Sequence, residues 1–458
     1  LQSIADANQG NRAAGTTGHE LSANYVAQQL LVAGYRVELQ PFTFMKYSAT
    51  ASAFAQTAPL PATYTDGQDY QVMTYSGSGA ATAAVTPVDL ALGTGNQSTS
   101  GCEAADFAGF PAGNIALLQR GTCAFQDKVV NAQNAGAAGV VIFNQGNSPD
   151  REALFTGTIG ESVAIRIPVL ATSYTFATAL LAQEGLVLSV NATTKVERKT
   201  SFNVIAESRG GDANNVVMIG AHLDSVAEGP GINDNGSGSA TILEVALGMK
   251  GLNPTNKLRF AWFSAEELGL IGSTKYVESL SAAEKNRIAL FVNVDMVGSA
   301  NYKIGVYDGD GSKFGQKGPQ GSELIERKFH NLFSTLGIQS VETELNGRSD
   351  YAAFSAAGIA VGGLFTGAEG VKTVEEAALF GGTAGQPYDA CYHKACDGMA
   401  NINEAALEAN TAAIAYVLLS YADSTFGVRD MQKFATKKAR KGVAFPKHLH
   451  CHEDVFDR

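Results

Sequence analysis

The sequence has little of several residue types that mark particular classes of protein. Among 458 residues there are five cysteines, one tryptophan and 33 basic side chains against 44 acidic ones, which gives a net charge of −11. Nucleic-acid partners call for basic patches, so this balance disfavours them and leaves a small molecule or a peptide as the expected ligand. No apolar run approaches the length of about 18 residues that crosses a bilayer, so we expect a soluble protein without membrane spans.

The sequence does contain enough apolar residues for a large core, since 45% of it is hydrophobic. A chain of this length usually divides into more than one domain. The first residue is Leu rather than Met, so we expect a processed form whose targeting segment has been removed.

The spacing of the cysteines predicts two short-range disulfides. Cys102 and Cys123 flank one compact segment, Cys391 and Cys396 enclose "CYHKAC", and Cys451 is left over. Three N-x-S/T triplets, which accept glycans in secreted proteins, begin at Asn96, Asn191 and Asn235, although Asn235 lies in a motif that favours a structural role. We therefore expect an oxidising compartment, either extracellular or a lytic vacuole.

Four segments differ in their sequence pattern. Residues 1–46 combine helical periodicity with a strand-like run, and residues 47–200 are rich in Ala, Thr, Gly and Ser with short strand-like runs. Residues 201–425 alternate apolar runs with amphipathic stretches, and residues 426–458 form a basic, His-rich tail. We predict a mixed, mainly parallel α/β sheet flanked by helices, interrupted by an inserted β-rich domain at 47–200.

Histidine and acidic residues follow several of the predicted strands. In open α/β sheets ligands bind outside the carboxyl ends of the strands, so these side chains are expected to converge at one edge. The residues are His222, Asp224 and Asp234 after "VVMIGA", Glu266 and Glu267 after "RFAWFSA", Asp295 after "FVNV", and His393 in "CYHKAC".

Each of these residues has an ordinary structural explanation when taken alone. A histidine after a strand is often only hydrogen-bonded, adjacent glutamates often begin a helix, and an aspartate often caps a turn. Their convergence favours a metal site, and two imidazoles with three carboxylates suit Zn²⁺ or a similar divalent ion. Five ligands with one bridging carboxylate describe two metals, and the remaining glutamate is then placed to accept a proton from water.

The sequence lacks the motifs of phosphate-binding loops and of single-zinc protease helices. The Gly-rich stretch matches neither G-x-x-x-x-G-K-[ST] nor G-x-G-x-x-G, and no H-E-x-x-H pair is present. Catalysis by cysteine is disfavoured because four of the five cysteines are expected to pair.

The motifs together resemble those of the M28 family of co-catalytic zinc aminopeptidases, of the secreted Streptomyces type. They are "GAHLDSV", "GINDNGSGSA", "RFAWFSAEELGLIGSTKYV", "NVDMVGS", "GRSDYAAF", "VGGLFTGA" and "CYHKACD", and the resemblance covers residues 1–40 and 202–422. It implies a zinc-exopeptidase fold and an enzyme that removes the N-terminal residue of peptides. Residues 113–145 resemble a protease-associated (PA) domain, which identifies the inserted segment.

The resemblance also implies a role for each residue of the set. His222 and Asp295 would bind one zinc, Glu267 and His393 the other, and Asp234 would bridge the two ions. Glu266 would be the general base and acid on a metal-bound water, Tyr392 would donate a hydrogen bond to the oxyanion, and Asp224 would orient His222. In this family a cis peptide often follows the bridging aspartate.

Substrate contacts are implied for Glu266, Asp295 and Arg348, with Glu342 as a weaker candidate. Arg348 and Glu342 have an alternative as a structural ion pair. Phe365 in "VGGLFTGA" would form one wall of an apolar pocket, which implies a preference for Leu-like or other large apolar residues. The sequence departs from related bacterial enzymes at Asn346, where an acidic residue is expected two positions before the arginine.

Three other functions stay open from the residues. A receptor-like ectodomain would bind without catalysis, but it would not need the complete ligand set. A glutaminyl cyclase needs a single zinc, and a carboxypeptidase needs a cationic pocket, which Arg348 alone would have to supply. We expect a monomer whose partners are peptides with a free N-terminus.

The tail allows two interpretations. It is either a disordered extension or a removable, autoinhibitory pro-segment cut near its basic pairs, Lys437 with Lys438 and Arg440 with Lys441. Its cluster of His448, His450, Cys451 and His452 would then contact the metals or block the cleft.

Overall fold

The structure is a computed structural model that describes residues 1–161, 164–430 and 432. Over these residues the helices are α1 (Gln2–Asp6), α2 (Thr17–Val32), α3 (Phe125–Asn134), α4 (Tyr174–Leu181), α5 (Gly238–Gly248), α6 (Ile271–Ser279), α7 (Ala282–Arg287), α8 (Ser322–Thr335), α9 (Tyr351–Ala356), α10 (Val374–Phe380) and α11 (Glu404–Asp423). The His and Cys cluster of the tail lies outside the described residues.

The strands of the same residues vary from 3 to 23 residues in length. They are β1 (Arg36–Ala58), β2 (Ala62–Tyr64), β3 (Tyr70–Val72), β4 (Gly79–Pro87), β5 (Ile115–Gln119), β6 (Gly139–Phe143), β7 (Val169–Thr172), β8 (Val187–Glu207), β9 (Asp212–His222), β10 (Asn256–Phe263), β11 (Ile288–Val294), β12 (Gly305–Tyr307), β13 (Val341–Thr343) and β14 (Ala360–Phe365).

The chain separates into two compact units. One contains Leu1–Phe44 together with the described residues from Thr200 onward, and the other contains Met45–Lys199. The two long strands, β1 and β8, each contribute residues to both units.

The first unit is built on a mixed sheet in the order β13-β12-β14-β11-β9-β10-β8. The central pairs β14–β11, β11–β9 and β9–β10 are parallel, while β10–β8 and β12–β14 are antiparallel. The predicted fold class, a mainly parallel sheet flanked by helices, is confirmed. Because the central strands run the same way, their carboxyl ends lie at one edge.

Both faces of this sheet are covered, which explains why its strands are continuous apolar runs rather than alternating ones. On β9, Val217 and Ile219 pack with α2, α5, α8 and α11 on one face. Val216 and Met218 point to the opposite face, in a core that includes Tyr276 of α6 and Phe354 of α9. The side chains change face at every residue, as the period of two in a strand requires.

Helix α11 is the one helix within the described residues that is long and apolar enough to cross a membrane by length and composition. Eight of its residues are buried, and Ile414, Val417 and Leu418 belong to the core of the first unit. The helix therefore has the packing of a core helix.

The second unit contains its own sheet, in the order β4-β5-β6-β7-β3. β4, β5, β6 and β7 pair in parallel, and β3 pairs antiparallel with β7. Helices α3 and α4 contribute Val129 and Ala132 to one apolar core and Ala177 and Leu180 to another. The disulfide between Cys102 and Cys123 forms in this unit, as the cysteine spacing predicted.

Gly363 is the position in the sheet that tolerates a side chain least. It lies on β14 opposite Asn293 of β11 with a φ of 149°, and a Cβ atom there would overlap the Asn293 carbonyl oxygen. Gly363→Ala should lower the free energy of unfolding of this unit by about 3 kcal/mol. Urea denaturation followed by the fluorescence of Trp262 measures this unit alone, because Trp262 is the single tryptophan and is buried on β10.

Gly248→Ala is the matched control for Gly363→Ala. Gly248 ends α5, its φ is negative, and nothing lies within 4 Å of an added Cβ. Its substitution should change the free energy of unfolding by less than about 1 kcal/mol. Equal effects of the two substitutions would contradict the close approach of β14 to β11.

Candidate metal centre

The predicted metal-binding residues converge at the carboxyl edge of the central sheet. β9 ends at His222, which lies opposite Phe263 at the end of β10. Glu266 and Glu267 follow β10, and Asp295 directly follows β11. Parallel pairing of neighbouring strands therefore brings residues from distant parts of the sequence to one place.

One half of the centre surrounds His222. Its Nε2 lies 3.1 Å from Asp234 Oδ1, 3.4 Å from Asp295 Oδ1 and 3.9 Å from Glu266 Oε2. Ser349 Oγ donates to Asp295 Oδ2 over 2.5 Å and fixes that carboxylate. An imidazole nitrogen and three carboxylate oxygens thus face one small volume.

The other half surrounds His393. Its Nε2 lies 2.9 Å from Glu267 Oε2 and 3.2 Å from Asp234 Oδ2. Asp234 therefore directs one oxygen to each imidazole, which is the geometry of a bridging carboxylate. The two halves differ in exposure, because the side chain of His393 is 41% exposed and that of His222 only 1%.

The donor atoms of this set fit divalent ions. Among the described residues, Glu267 Oε1 and Asp295 Oδ1 are buried and accept no hydrogen bond, which is costly for carboxylate oxygens. Burial and the nearby Asp234 raise the pKa of Glu267 to about 7. Burial alone would lower the pKa of His393, but hydrogen bonds to Asp234 and Glu267 raise it to about 11. The surroundings therefore favour positive charge, as either bound protons or metal ions.

The bridging aspartate is held in place by its backbone. Asp397 accepts the N–H of Asn233 over 2.8 Å and that of Asp234 over 3.0 Å. The Asp234–Asn235 peptide is cis, as the family resemblance implied. Asn235 is fully buried, donates to Val294 O and accepts from Gly238 N–H, so its role is structural rather than that of a glycan acceptor.

Asp224 contacts His222 through its main-chain oxygen rather than through its carboxylate. His222 Nδ1 lies 3.2 Å from the main-chain oxygen of Asp224 and 3.7 Å from its carboxylate Oδ1. The carboxylate instead accepts the N–H of Glu266 over 3.3 Å. One residue thus contacts the first imidazole through its backbone and the loop after β10 through its side chain.

Comparison with known proteins agrees with this geometry. Residues 203–418 match Peptidase family M28, and residues 82–180 match the PA domain. An aminopeptidase of Pseudomonas aeruginosa (strain UCBPP-PA14) is 52% identical over 441 residues, which cover 96% of this chain and 82% of the relative. The chain belongs to peptidase family M28.

Two further comparisons extend this assignment. Leucine aminopeptidase 2 of Trichophyton rubrum is 41% identical over 93% of this chain and 83% of its own length. The solved aminopeptidase from Aneurinibacillus sp. strain AM-1 is 30% identical, covers 92% of both chains and has a TM-score of 0.70. The protein is thus an enzyme of the aminopeptidase type, and the PA domain implied by the sequence is confirmed.

The disulfide between Cys391 and Cys396, predicted from sequence, closes the loop of this M28 aminopeptidase that carries His393. His393 adopts a φ of 57°, and the ring of Tyr392 stacks on its imidazole at 3.8 Å between centroids. Asp389 accepts the N–H of Cys391 over 2.8 Å and a hydrogen bond from Asn233 over 2.6 Å. Asp389 therefore joins the loop of His393 to the loop of the bridging aspartate.

Arg348 has a partner that the sequence did not indicate. Its Nη1 donates to Glu369 Oε1 over 2.6 Å, and its Nη2 donates to Tyr392 Oη over 3.3 Å. The alternative considered from sequence, an ion pair of Arg348 with Glu342, is therefore wrong. Asn346 accepts the N–H of Arg348 and the O–H of Tyr351, so it shapes this turn.

Glu342 and Phe365 lie on strands beside this turn. Glu342 is on β13, where Ser312 Oγ donates to it, and its carboxylate groups with Glu326 and His330 rather than with the metal centre. Phe365 ends β14 and is partly buried against the core that contains Phe354. The substrate roles of both residues stay predictions.

Sequence reasoning missed three residues that position the centre. Asp389 and Asp397 flank "CYHKAC" in the sequence, so their proximity to a ligand loop was the available signal. Arg12 had none, because it lies about 200 residues before the ligands. Its side chain is fully buried and donates to the carbonyls of Leu223, Pro230 and Gly231.

Arg12→Met should loosen the loop between His222 and Asp234. It leaves three buried carbonyls without their donor, so the free energy of unfolding should fall by about 3 kcal/mol, measured by urea denaturation with Trp262 fluorescence. Zinc retained after dialysis, measured by mass spectrometry, should fall as well.

Arg12→Lys is the matched control, because it keeps the charge without the guanidinium fork that reaches three acceptors. Its effect should be smaller than that of Arg12→Met. Wild-type stability and zinc retention in Arg12→Met would contradict the positioning role.

Proposed function

We propose that this M28 aminopeptidase hydrolyses the N-terminal residue of peptides with two zinc ions. One ion would be held by His222 and Asp295, the other by Glu267 and His393, and both by Asp234. The observation that carries this proposal is the division of the Asp234 oxygens between the two imidazoles, at 3.1 and 3.2 Å. Zinc is favoured over harder ions because each half combines an imidazole with carboxylates.

Zinc ions, when bound, lower the pKa of water and polarise the scissile carbonyl. Glu266 accepts the proton of the attacking water and transfers it to the departing amine. Its carboxylate lies 3.9 Å from His222 Nε2 and groups with His222 and Asp295, and it is not needed to complete either ligand set. Burial raises the pKa of Glu266, which suits a group that must both accept and return a proton.

Tyr392 stabilises the oxyanion in this proposal. Its hydroxyl oxygen already accepts a hydrogen bond from Arg348, so its own O–H is available to donate. Burial raises the pKa of Tyr392, which keeps the hydroxyl protonated at neutral pH. A neutral phenol beside the centre is the form that donates to a developing negative charge.

The ion pair at Arg348 supports an aminopeptidase rather than a carboxypeptidase. A carboxypeptidase needs a cation that is free to bind the terminal carboxylate, whereas the Arg348 guanidinium is paired with Glu369. A peptide carboxylate would have to displace that partner. The receptor-like alternative is disfavoured because every ligand position and Glu266 are retained.

We further propose a preference for Leu-like first residues and a secreted enzyme. A relative named leucine aminopeptidase 2 and the partly buried Phe365 support the preference. Two disulfides support an oxidising compartment. Asn191 is exposed on β8 and is the better placed acceptor for a glycan, since the Asn96 amide donates to Gly93 O and Gln145 O.

Adjacent glutamates should respond differently to the same substitution. Glu266→Gln should reduce kcat by about 10²- to 10⁴-fold with zinc content unchanged, since it removes proton transfer and not ligation. Glu267→Gln, the matched control, should lose zinc. Metal analysis and kinetics on Leu-4-nitroanilide measure both effects, and full activity of Glu266→Gln would exclude the mechanism.

A substrate panel distinguishes the exopeptidase classes. The enzyme should cleave Leu-4-nitroanilide but not N-acetyl-Leu-4-nitroanilide, because the blocked amine cannot be held beside the carboxylates of the centre. A chelator such as 1,10-phenanthroline should abolish the activity, and Zn²⁺ should restore it. Cleavage of the acetylated substrate, or release of C-terminal residues from N-blocked peptides, would reject the aminopeptidase proposal.

A further inference from the structure

A second group of ligand-type side chains lies in the first unit and shares no residue with the metal centre. Glu326 and His330 are four residues apart on α8, so they lie on the same face of that helix. Glu342 is on the neighbouring edge strand β13. One ligand atom of each residue lies within 4.8 Å of the other two.

His330 has a ring nitrogen without a partner. Its Nδ1 is 2.8 Å from Ser340 Oγ, while its Nε2 is buried and makes no hydrogen bond to the described residues. Burial lowers the pKa of His330 and therefore favours the neutral ring. With the Nδ1 hydrogen donated to Ser340, Nε2 carries a lone pair, which is the form in which histidine binds a metal.

The two carboxylates of the group are oriented by their neighbours. Glu326 is buried, and its Oε2 accepts the N–H of Gly309 over 2.9 Å and that of Asp310 over 3.0 Å. Glu342 Oε1 accepts a hydrogen bond from Ser312 Oγ over 3.2 Å. Outer hydrogen bonds of this kind fix the orientation of carboxylates that bind metals.

We propose that Glu326, His330 and Glu342 bind a zinc ion at a site separate from the catalytic centre. One imidazole and two carboxylates form a ligand set suited to zinc, with a fourth position for water. Zinc–ligand distances are about 2.0–2.2 Å, and the three ligand atoms, which lie within 4.8 Å of one another, are near the spacing at which they could share one ion. The ion would join α8 to β13 and stabilise the edge of the sheet.

A calcium site nearby is the alternative that the structure disfavours. Asp308, Asp310 and Glu326 form an all-carboxylate group, as calcium would prefer. However, the oxygens of Asp308 accept the N–H groups of Ser312, Lys313 and Phe314, and Asp310 accepts that of Ser312. These carboxylates already accept hydrogen bonds from the backbone of their own loop, whereas His330 Nε2 accepts none from any residue that the structure describes.

Zinc content of the full-length enzyme tests the site. After equilibration with Zn²⁺ and removal of free metal, His330→Gln and Glu342→Gln should each hold about one zinc per chain fewer than wild type. Glu344→Gln is the matched control, because it removes the same charge from an exposed position two residues along the chain. A variant with His448, His450 and His452 changed to Gln shows whether the tail binds the ion instead.

The kcat/KM of His330→Gln and Glu344→Gln on Leu-4-nitroanilide should equal that of wild type, since neither residue belongs to the catalytic centre or to the candidate substrate contacts. The rise in Tm on addition of Zn²⁺ should be smaller in His330→Gln and Glu342→Gln than in wild type, and unchanged in Glu344→Gln. The zinc count is a difference between variants, so it does not depend on how many ions the catalytic centre holds. Two variants on different elements keep the test valid if one of them folds poorly.

Three results would overturn the proposal. The first is a zinc content of both His330→Gln and Glu342→Gln equal to that of wild type, and the second is loss of the ion only in the tail variant. The third is a Tm that responds to Ca²⁺ and not to Zn²⁺, which would assign the metal to the carboxylates of Asp308 and Asp310.

Discussion

The carboxylate of Asp234 is the group on which the rest of the centre depends. It stands between His222, at the end of a buried strand, and His393, on a disulfide-closed loop. Each of its two carboxylate oxygens faces one imidazole, so this residue links the two halves of the centre. Its backbone is held by Asp397, and Asn235 is bonded to the end of β11, so its position is coupled to the sheet.

Placing so many carboxylates in a protein interior is unfavourable unless positive charge lies close by. Arg12 supplies one such charge from beneath the loop, and burial lowers even its pKa, to about 10. The two imidazoles also face these carboxylates, which raise the pKa of both rings despite their burial. Metal ions at the same place would supply positive charge without protonating the imidazoles, which links metal binding to the stability of the unit.

The convergence of the metal-binding residues could be predicted because most of them follow the carboxyl ends of strands. The apolar runs before His222, Glu266 and Asp295 indicated parallel strands, and parallel strands bring their carboxyl ends together whatever their separation in sequence. Side chains that hydrogen-bond to the backbone of loops could not be predicted in the same way. Arg12 and Asp397 bond to main-chain groups, which are the same in every residue and leave no complementary pattern in the sequence.

The ion pair of Arg348, on the exposed side of the centre, was not predicted correctly because it joins residues of irregular loops. Arg348 was recognised from its motif, but its partner proved to be Glu369 and not Glu342. Glu342 lies on β13, and Glu369 follows β14 by four residues. Only the path of the loops decides which of these glutamates reaches the guanidinium of Arg348. Periodicity and spacing describe regular elements, whereas these contacts depend on irregular ones.

The half of the centre around His222 is enclosed and the half around His393 is exposed, so we expect their neighbouring residues to have different roles. His222 is enclosed together with Asp224, and Arg12 lies beneath their loop. His393 is exposed, and Tyr392, Arg348 and Glu369 lie beside it. The enclosed residues contact ligands and loop backbone, so we expect them to influence the reaction by holding ligands in place. In the proposed function the residues of the exposed side are the ones that would meet the substrate, so we expect differences in specificity between relatives to arise there, near Asn346.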